Sequence, residues 1–230
     1  MDEIYKNAPL IEVVFEIRFP AEFAIKCKTD LLYHQIKSVF PIIVEHRPES
    51  GFIYDFLNKS QKEIIRLSLD RVSYHAKEYS GGFAKFQEDA LKYLQLFINT
   101  YKIEKLTRTG LRYVNHMPIV KINGLVPLEK YINFGYKLPG TRIPNQFEQL
   151  HTILVVKIDT GKLKILLQTK EITDITKTEV LVLDFDFMYT GQLDAKNIVE
   201  YIAKSHTYTK DIFEDLIASE YKKVMRGDQV

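Results

Sequence analysis

The sequence predicts an α+β fold built on a mostly antiparallel sheet, with packed helices and a pair of helices at the C-terminus. Three observations lead to this fold class. Apolar residues alternate with a period of two in several segments, turn-like residues join most of those segments directly, and other segments follow the helical period. The pattern does not determine whether the sheet closes on itself, so two sheet halves and a cupped barrel remain alternatives.

The first strand is predicted from Leu10 to Phe19, between Pro9 and Pro20, because proline is confined to the ends and edges of strands. One face is apolar and the other carries most of the charge. The apolar face holds Ile11, Val13, Phe15, Ile17 and Phe19, and the other face holds Glu12, Val14, Glu16 and Arg18.

A helix is predicted over Ala21 to Phe40, and it carries the chain's single cysteine, Cys27, on its apolar side. We expect this thiol to be buried, as free cysteines usually are. An antiparallel meander of four strands follows, with Asp70-Arg71 as a two-residue hairpin loop. These strands are predicted at Ile42 to Arg47, Phe52 to Leu57, Glu63 to Leu69 and Val72 to Glu78.

Gly81-Gly82 then marks the entry to a second helix, Phe83 to Tyr101, whose aromatic stripe we expect in the core. A long strand, Ile103 to Met117, completes an N-terminal half at residues 1–117. Residues 118–146 are rich in proline and glycine, with one short helix expected near Leu128 to Phe134, and form an irregular connection.

The C-terminal half, residues 147–230, is predicted as three strands followed by two helices, although both halves could form one continuous domain. The turn at Asp159 to Lys162 predicts a hairpin, and Asp194 is a plausible N-cap of the first helix. The strands are Phe147 to Ile158, Leu163 to Ile172 and Glu179 to Met188, and the helices are Asp194 to Ser205 and Thr209 to Met225.

Composition narrows the function classes. The 230 residues are 46% hydrophobic, and a formal charge of +2 provides no overall field for nucleic acid or a membrane surface. One cysteine excludes a disulfide framework and a cysteine-rich zinc site. We find no apolar run of membrane-spanning length and no leader-like N-terminus, so we expect a cytoplasmic protein that does not bind membranes.

The segment Asn7 to Pro20, NAPLIEVVFEIRFP, resembles the N-terminal signature of a sporadically distributed prokaryotic family of unknown function. That signature is Asn-Ala-Pro-Leu, then Glu-Val, then Phe-Glu-Ile-Arg-Phe. The segment Gly110 to Asn115, GLRYVN, is similar to the family's central Leu-Arg-Tyr-Xaa-Asn segment, and a helical end carrying Phe213 also fits. The resemblance implies no activity. The sporadic distribution of that family would suit accessory genes such as those of defence or toxin-antitoxin loci.

Charge recurs on one face of several predicted strands. If these faces converged in a closed or cupped barrel, the cations could bind phosphate and the carboxylates could hold Mg²⁺, as in triphosphate tunnel enzymes. The alternative without a site is that these charged faces are simply the solvated sides of sheets. The candidate phosphate-binding residues are Arg18, Arg108, Arg112 and Lys164, and the candidate metal ligands are Glu12, Glu16, Asp184 and Asp186.

No standard catalytic or cofactor motif is present in the sequence, which lowers the expectation of an enzyme. We therefore expect a binding or interaction module without a cofactor, with a protein as its partner. A phosphate-binding or metal-dependent triphosphate hydrolase is the alternative function. A nucleotide or RNA is the alternative partner, with Tyr54, Phe56 and Tyr74 as stacking platforms beside Arg66, Arg71 or Lys77.

Overall fold

The computed structural model describes residues 5–48, 51–135, 147–173 and 177–228. Its strands form one nine-stranded antiparallel sheet that does not close into a barrel, which confirms the α+β prediction. The spatial order is β2-β3-β4-β5-β1-β6-β9-β8-β7. The strands are β1 (Leu10–Arg18), β2 (Ile42–His46), β3 (Ile53–Leu57), β4 (Glu63–Leu67), β5 (Arg71–Lys77), β6 (Lys105–Pro118), β7 (His151–Ile158), β8 (Gly161–Thr173) and β9 (Lys177–Asp194).

The apolar faces of these strands pack against a layer of helices. Phe86 of α3 contacts Tyr74 of β5, and Phe213 of α4 contacts Phe185 of β9, with ring centroids 5.7 and 6.0 Å apart. The helices are α1 (Ala24–Cys27), α2 (Thr29–Ile36), α3 (Gly82–Tyr101), α4 (Ile198–Leu216) and α5 (Ser219–Arg226). None of these helices combines the length and the apolar composition that a bilayer crossing requires.

Strand β1 lies near the middle of the sheet because its alternation supplies a fully apolar face to the core. Phe15 lies opposite Tyr74 of β5 and Leu111 of β6, and all three side chains are buried. One buried cluster surrounds β1, β5 and α3, and a second surrounds β8, β9 and the C-terminal helices. The pairing of β6 with β9 joins residues of both predicted halves in one sheet.

The helix predicted over Ala21 to Phe40 is broken into α1 and α2, because Lys28 takes the non-helical angles φ −128° and ψ 24°. Ile25 is buried in the short first piece, and Cys27, two residues later, points the other way. The predicted burial of Cys27 is therefore wrong, since its thiol is exposed.

The C-terminal helix pair is confirmed, but its break is displaced. Helix α4 continues through residues 205–209 and ends at Leu216, where Ile217 turns to an extended conformation. Asp194 precedes a short 3-10 turn and makes no side-chain cap. Its carboxylate accepts a hydrogen bond from Lys105 Nζ at 2.5 Å instead.

The connection between the halves is anchored where the structure describes it. Its predicted short helix is a 3-10 turn, Leu128–Lys130, and bridges tie Val126 to Phe147 and Ile132 to Ile217. The part of the predicted irregular segment at residues 136–146 lies outside the described residues. The predicted hairpin is confirmed, because Ile158 pairs with Gly161 around a two-residue turn.

Candidate functional site

The eight charged residues predicted as candidate phosphate or metal ligands share one face of the sheet, opposite the helices. We call this the helix-free face. The strand registers determine this arrangement, because Glu16 lies opposite Gly110, and Lys164 lies opposite Asp186. From β1 through β6 and β9 to β8, these residues are Glu12, Glu16, Arg18, Arg108, Arg112, Asp184, Asp186 and Lys164.

Arg18 and Arg108 lie directly opposite each other, an arrangement that would repel without a carboxylate between them. Glu16 Oε1 is that carboxylate oxygen, accepting hydrogen bonds from Arg18 Nε at 2.7 Å and Arg108 Nη1 at 2.6 Å. Arg108 Nη2 also donates to Asp186 Oδ2 at 2.9 Å. Burial raises the pKa of Asp186, and the nearby Arg108 and Arg112 oppose that rise.

Arg112 forms a two-pronged ion pair with Asp184. Its Nε and Nη2 atoms donate to the two carboxylate oxygens at 2.8 and 2.6 Å. The hydrogen bond to Asp184 raises the pKa of the guanidinium, despite its partial burial. The guanidinium therefore already gives to Asp184 the pair of parallel donors that an arginine would offer to a phosphate.

Glu12 belongs to a chain of polar side chains. Its Oε1 lies 3.0 Å from His75 Nδ1, and His75 Nε2 lies 2.9 Å from Ser73 Oγ. The hydrogen bond with His75 lowers the pKa of Glu12, although burial opposes it. Ser73 is only 2% exposed. A substrate cannot reach its hydroxyl, so this serine–histidine–glutamate chain holds its members in place instead of presenting a nucleophile.

The helix-free face is therefore largely paired within itself. Its three predicted arginines all donate to carboxylates, and Lys164 is exposed with no ion pair to another described residue. Across the described ranges, no group of three or more His, Cys, Asp or Glu side chains could hold a metal ion. Phosphate binding by these arginines would require breaking ion pairs that already exist.

The proposed stacking platforms for nucleic acid lie on the other side. Phe56 and Tyr74 are fully buried against the helices. Arg66 projects from the helix-free face, where its Nε and Nη2 donate to Asp55 at 2.7 and 2.8 Å. Rings and cations are thus separated by the thickness of the sheet.

The helix-covered face contains a cavity of about 470 Å³, which we call the central cavity. It lies between the two buried clusters, under α3 and α4 and over β1, β6 and β9. Its walls are mainly apolar and aromatic. Among the residues that line it are Pro9, Val13, Phe83, Phe86, Phe185 and Phe213.

Polar side chains are placed at defined points of this wall. Tyr113 Oη lies 2.8 Å from His206 Nδ1, and the Phe83 ring stacks on the His206 ring with centroids 3.6 Å apart. Asn115 is buried and donates from Nδ2 to the backbone oxygen of Leu183 at 3.2 Å. The alternation of β6 delivers Tyr113 and Asn115 to the cavity, while Arg112 faces the other side.

Tyr79 lines the cavity beside the entry to α3. Its hydroxyl is buried and has no hydrogen-bond partner within the described residues, and burial raises the pKa of Tyr79 to about 12. A Cβ on Gly81 would lie 2.7 Å from this hydroxyl oxygen, and Gly82 has φ +75°. The paired glycines therefore form the predicted helix entry and let the backbone pack closely on the tyrosine.

The two carboxylates of the cavity wall already have partners. Glu214 accepts hydrogen bonds from Tyr5 Oη at 2.8 Å and forms an ion pair with Lys222 at 3.1 Å. Glu78, which is exposed, pairs with Lys62 at 2.5 Å. Burying a further charge in this apolar space would be costly without a partner. The cavity is suited to an uncharged ligand.

The sequence segments that carry the family resemblance meet at this cavity. Ala8, Pro9 and Leu10 line it from one side, Tyr113 and Asn115 from the sheet, and Phe213 from α4. The backbone N–H of Asn7 donates to the carbonyl oxygen of Met225 at 2.8 Å, which ties the first segment to α5. The charge pattern did not point to this cavity. The available signal was polar Tyr113 and Asn115 on a mostly apolar strand face.

Comparison of the chain with models of protein families gives no match, and comparison with curated proteins gives none either.

Proposed function

We propose that this protein is a non-enzymatic binding module and that the central cavity is its binding site. The observation that supports this most strongly is a cavity of about 470 Å³ with an aromatic wall and a few placed polar groups. Small-molecule sites typically enclose roughly 300–1,000 Å³ and combine apolar walls with few polar contacts.

The ligand class follows from the lining. Phe83, Phe86, Phe185 and Phe213 favour a flat, apolar ring system through edge and face contacts. Tyr113, Asn115 and His206 place a few polar atoms among these rings, and such a wall suits a ligand that carries a hydrogen-bonding group. The two carboxylates of the wall are paired and the rest of the lining is mainly apolar, which favours a neutral molecule. We therefore propose an uncharged aromatic ligand that carries at least one hydrogen-bonding group.

Ligand-observed NMR with benzamide and indole tests this proposal. Both probes are neutral, and each combines an aromatic ring with a donor group. We expect saturation transfer to both, and we expect Ala8→Trp to weaken binding about tenfold or more, a change of roughly 1.4 kcal/mol. Ala8 is an exposed residue of the cavity rim, so the larger ring can fill the opening without disturbing the core.

The matched control is Ala21→Trp, since Ala21 is also exposed and does not line the cavity. Binding that survives Ala8→Trp, or that falls equally in both variants, would contradict the proposal that the ligand binds in the cavity.

A thermal-shift panel of triphosphates with and without Mg²⁺ tests the alternative function, a metal-dependent triphosphate hydrolase. A magnesium-dependent shift that Arg112→Ala abolishes would favour the helix-free face instead.

The remaining expectations stay predictions within this proposal. A protein partner, a cytoplasmic location and a role at a defence or toxin-antitoxin locus come from the sequence and the family resemblance. The exposed thiol of Cys27 supports a reducing compartment. Co-purification from a prokaryotic host that carries such a locus would test the partner.

A further inference from the structure

The two edges of the sheet differ in how they are protected. Edge strand β2 has five residues, and its charged side chains are paired: Glu45 accepts from Arg47 Nε at 3.0 Å, and His46 contacts Asp55 at 3.2 Å. Short length and charge are the usual ways in which native edges avoid pairing with other strands. Edge strand β7 differs in both respects.

Strand β7 has eight residues, HTILVVKI, with no proline and no acidic residue, and its register with β8 is unbroken. Large apolar side chains are exposed on both of its faces. Ile153 and Val155 are 51% and 65% exposed on the helix-free face, and Val156 is 42% exposed on the opposite face. Its outer edge pairs with no strand in the described part of the chain.

We propose that β7 pairs antiparallel with β7 of a second copy of this chain, around a two-fold axis close to Val155. The strands of both copies then form one continuous sheet. The unpaired backbone groups of β7 are satisfied, and the exposed apolar side chains of one copy cover those of the other.

A second copy fits this edge because the strand is complementary to itself when reversed. Pairing about Val155 places the two Lys157 side chains four residues apart along the strands, about 13 Å at the usual rise per residue. A basic peptide would be repelled by Lys157, the one permanently charged side chain of β7, whereas a second copy keeps its own Lys157 at this distance. In this register Val155 meets Val155, Leu154 meets Val156, Ile153 meets the aliphatic stem of Lys157, and Ile158 meets Thr152.

The charge on the neighbouring strand predicts the salt dependence of association. Lys162 and Lys164 of β8 are exposed on the helix-free face beside Lys157 and Val155. Two copies therefore bring like charges onto the same side of the joined sheet. We expect the dimer to become tighter as salt rises from about 0.05 to 0.5 M, because added ions screen this repulsion.

Sedimentation velocity over a concentration series tests the proposal. The expected result is a species of twice the 26.9 kDa chain mass, which Val155→Lys converts to monomer. Val44→Lys is the matched control, since Val44 is also an exposed valine on the helix-free face of an edge strand. A monomeric parent protein, a dimer that persists in Val155→Lys, or a dimer lost equally in Val44→Lys would each overturn it.

Hydrogen exchange provides a second measurement that does not depend on a variant. We expect the backbone amides of residues 151–158 to become more protected as protein concentration rises, while those of β2 do not change. Protection that is independent of concentration at both edges would overturn the proposal.

Discussion

The two faces of the same sheet differ in what surrounds their polar side chains. On β6, Arg108 and Arg112 face away from the helices and donate hydrogen bonds to carboxylates of neighbouring strands. Tyr113 and Asn115, on the alternate face, lie beside an open volume. The same strand thus contributes to a closed network on one side and to an accessible cavity on the other.

This difference shows why abundant charge on the face of a sheet does not by itself leave groups free for a ligand. A charged residue on a sheet surface finds partners on the neighbouring strands, and such pairs contribute modestly to stability while occupying donors that a ligand would need. A small-molecule binding site needs polar groups at fixed positions next to a volume that a ligand can enter. The following changes separate the two faces, from the largest expected effect to the smallest.

Replacing a core residue of β1 tests the helix-covered face. Phe15→Ala removes a fully buried ring from the centre of the sheet and should cost about 3–5 kcal/mol of unfolding free energy. Val14→Ala, next to it on the helix-free face, should cost about 1 kcal/mol. Chemical denaturation measures both values. Equal losses would show that the two faces are packed alike.

Arg108→Ala tests the network on the helix-free face. The change leaves Glu16 and Asp186, both mostly shielded from solvent, without their shared cation, and should cost about 2 kcal/mol. The exposed pair of Arg47 and Glu45 is the control, and Arg47→Ala should leave the denaturation midpoint unchanged. If Arg108→Ala leaves the free energy of unfolding unchanged, the network adds nothing to stability.

The acid dependence of stability distinguishes two carboxylates of the helix-free face. The folded-state pKa of Glu12 lies below its ordinary 4.5, so its contribution is present above that pH and is lost as pH falls through the folded value. Glu12→Gln should therefore flatten the loss of stability in acid. The pKa of Asp186 is raised, so Asp186→Asn should steepen that loss.

Thermal unfolding between about pH 3 and 6 measures both curves, with the parent protein lying between them. If both variants shift the curve in the same direction, the assigned causes of the two pKa changes are wrong.

The smallest effect is expected at Cys27, which belongs to neither face. Because its thiol is exposed, Cys27→Ser should change stability by no more than about 0.5 kcal/mol. The folded parent protein should react with a thiol reagent about as fast as the denatured chain. Slow labelling in the folded state would instead support the burial expected from the sequence.

Local patterns predicted much of the fold because strands and long amphipathic helices carry their own periodicity. The alternation of Leu10–Arg18 and the stripe of α3 through Phe86, Ala90 and Phe97 are such cases. The break at Lys28 and the continuity of α4 were not predictable in this way, since tertiary packing decides whether a helix is interrupted. Strand order was also hidden, because pairing partners are distant in the chain.

The candidate site was predicted only in its parts. Alternation placed each charged residue on one face of its own strand. Whether those faces coincide, and whether each residue has a partner, depends on cross-strand registers such as that of Arg18 with Arg108. The central cavity draws on residues near positions 9, 80, 114 and 209. No local pattern links these segments, so the sequence did not predict the cavity.

The position of β1 also has a consequence for how the chain folds. This strand is synthesised before both of its neighbours, β5 and β6, and β6 must in turn await β9. Contacts between distant segments form slowly, because the intervening loop must close first. We expect the local β2–β5 meander to gain protection earliest in pulse-labelled refolding. The apolar β1 then remains exposed to aggregation until the middle of the sheet assembles, which makes the protein a candidate for chaperone dependence at high expression.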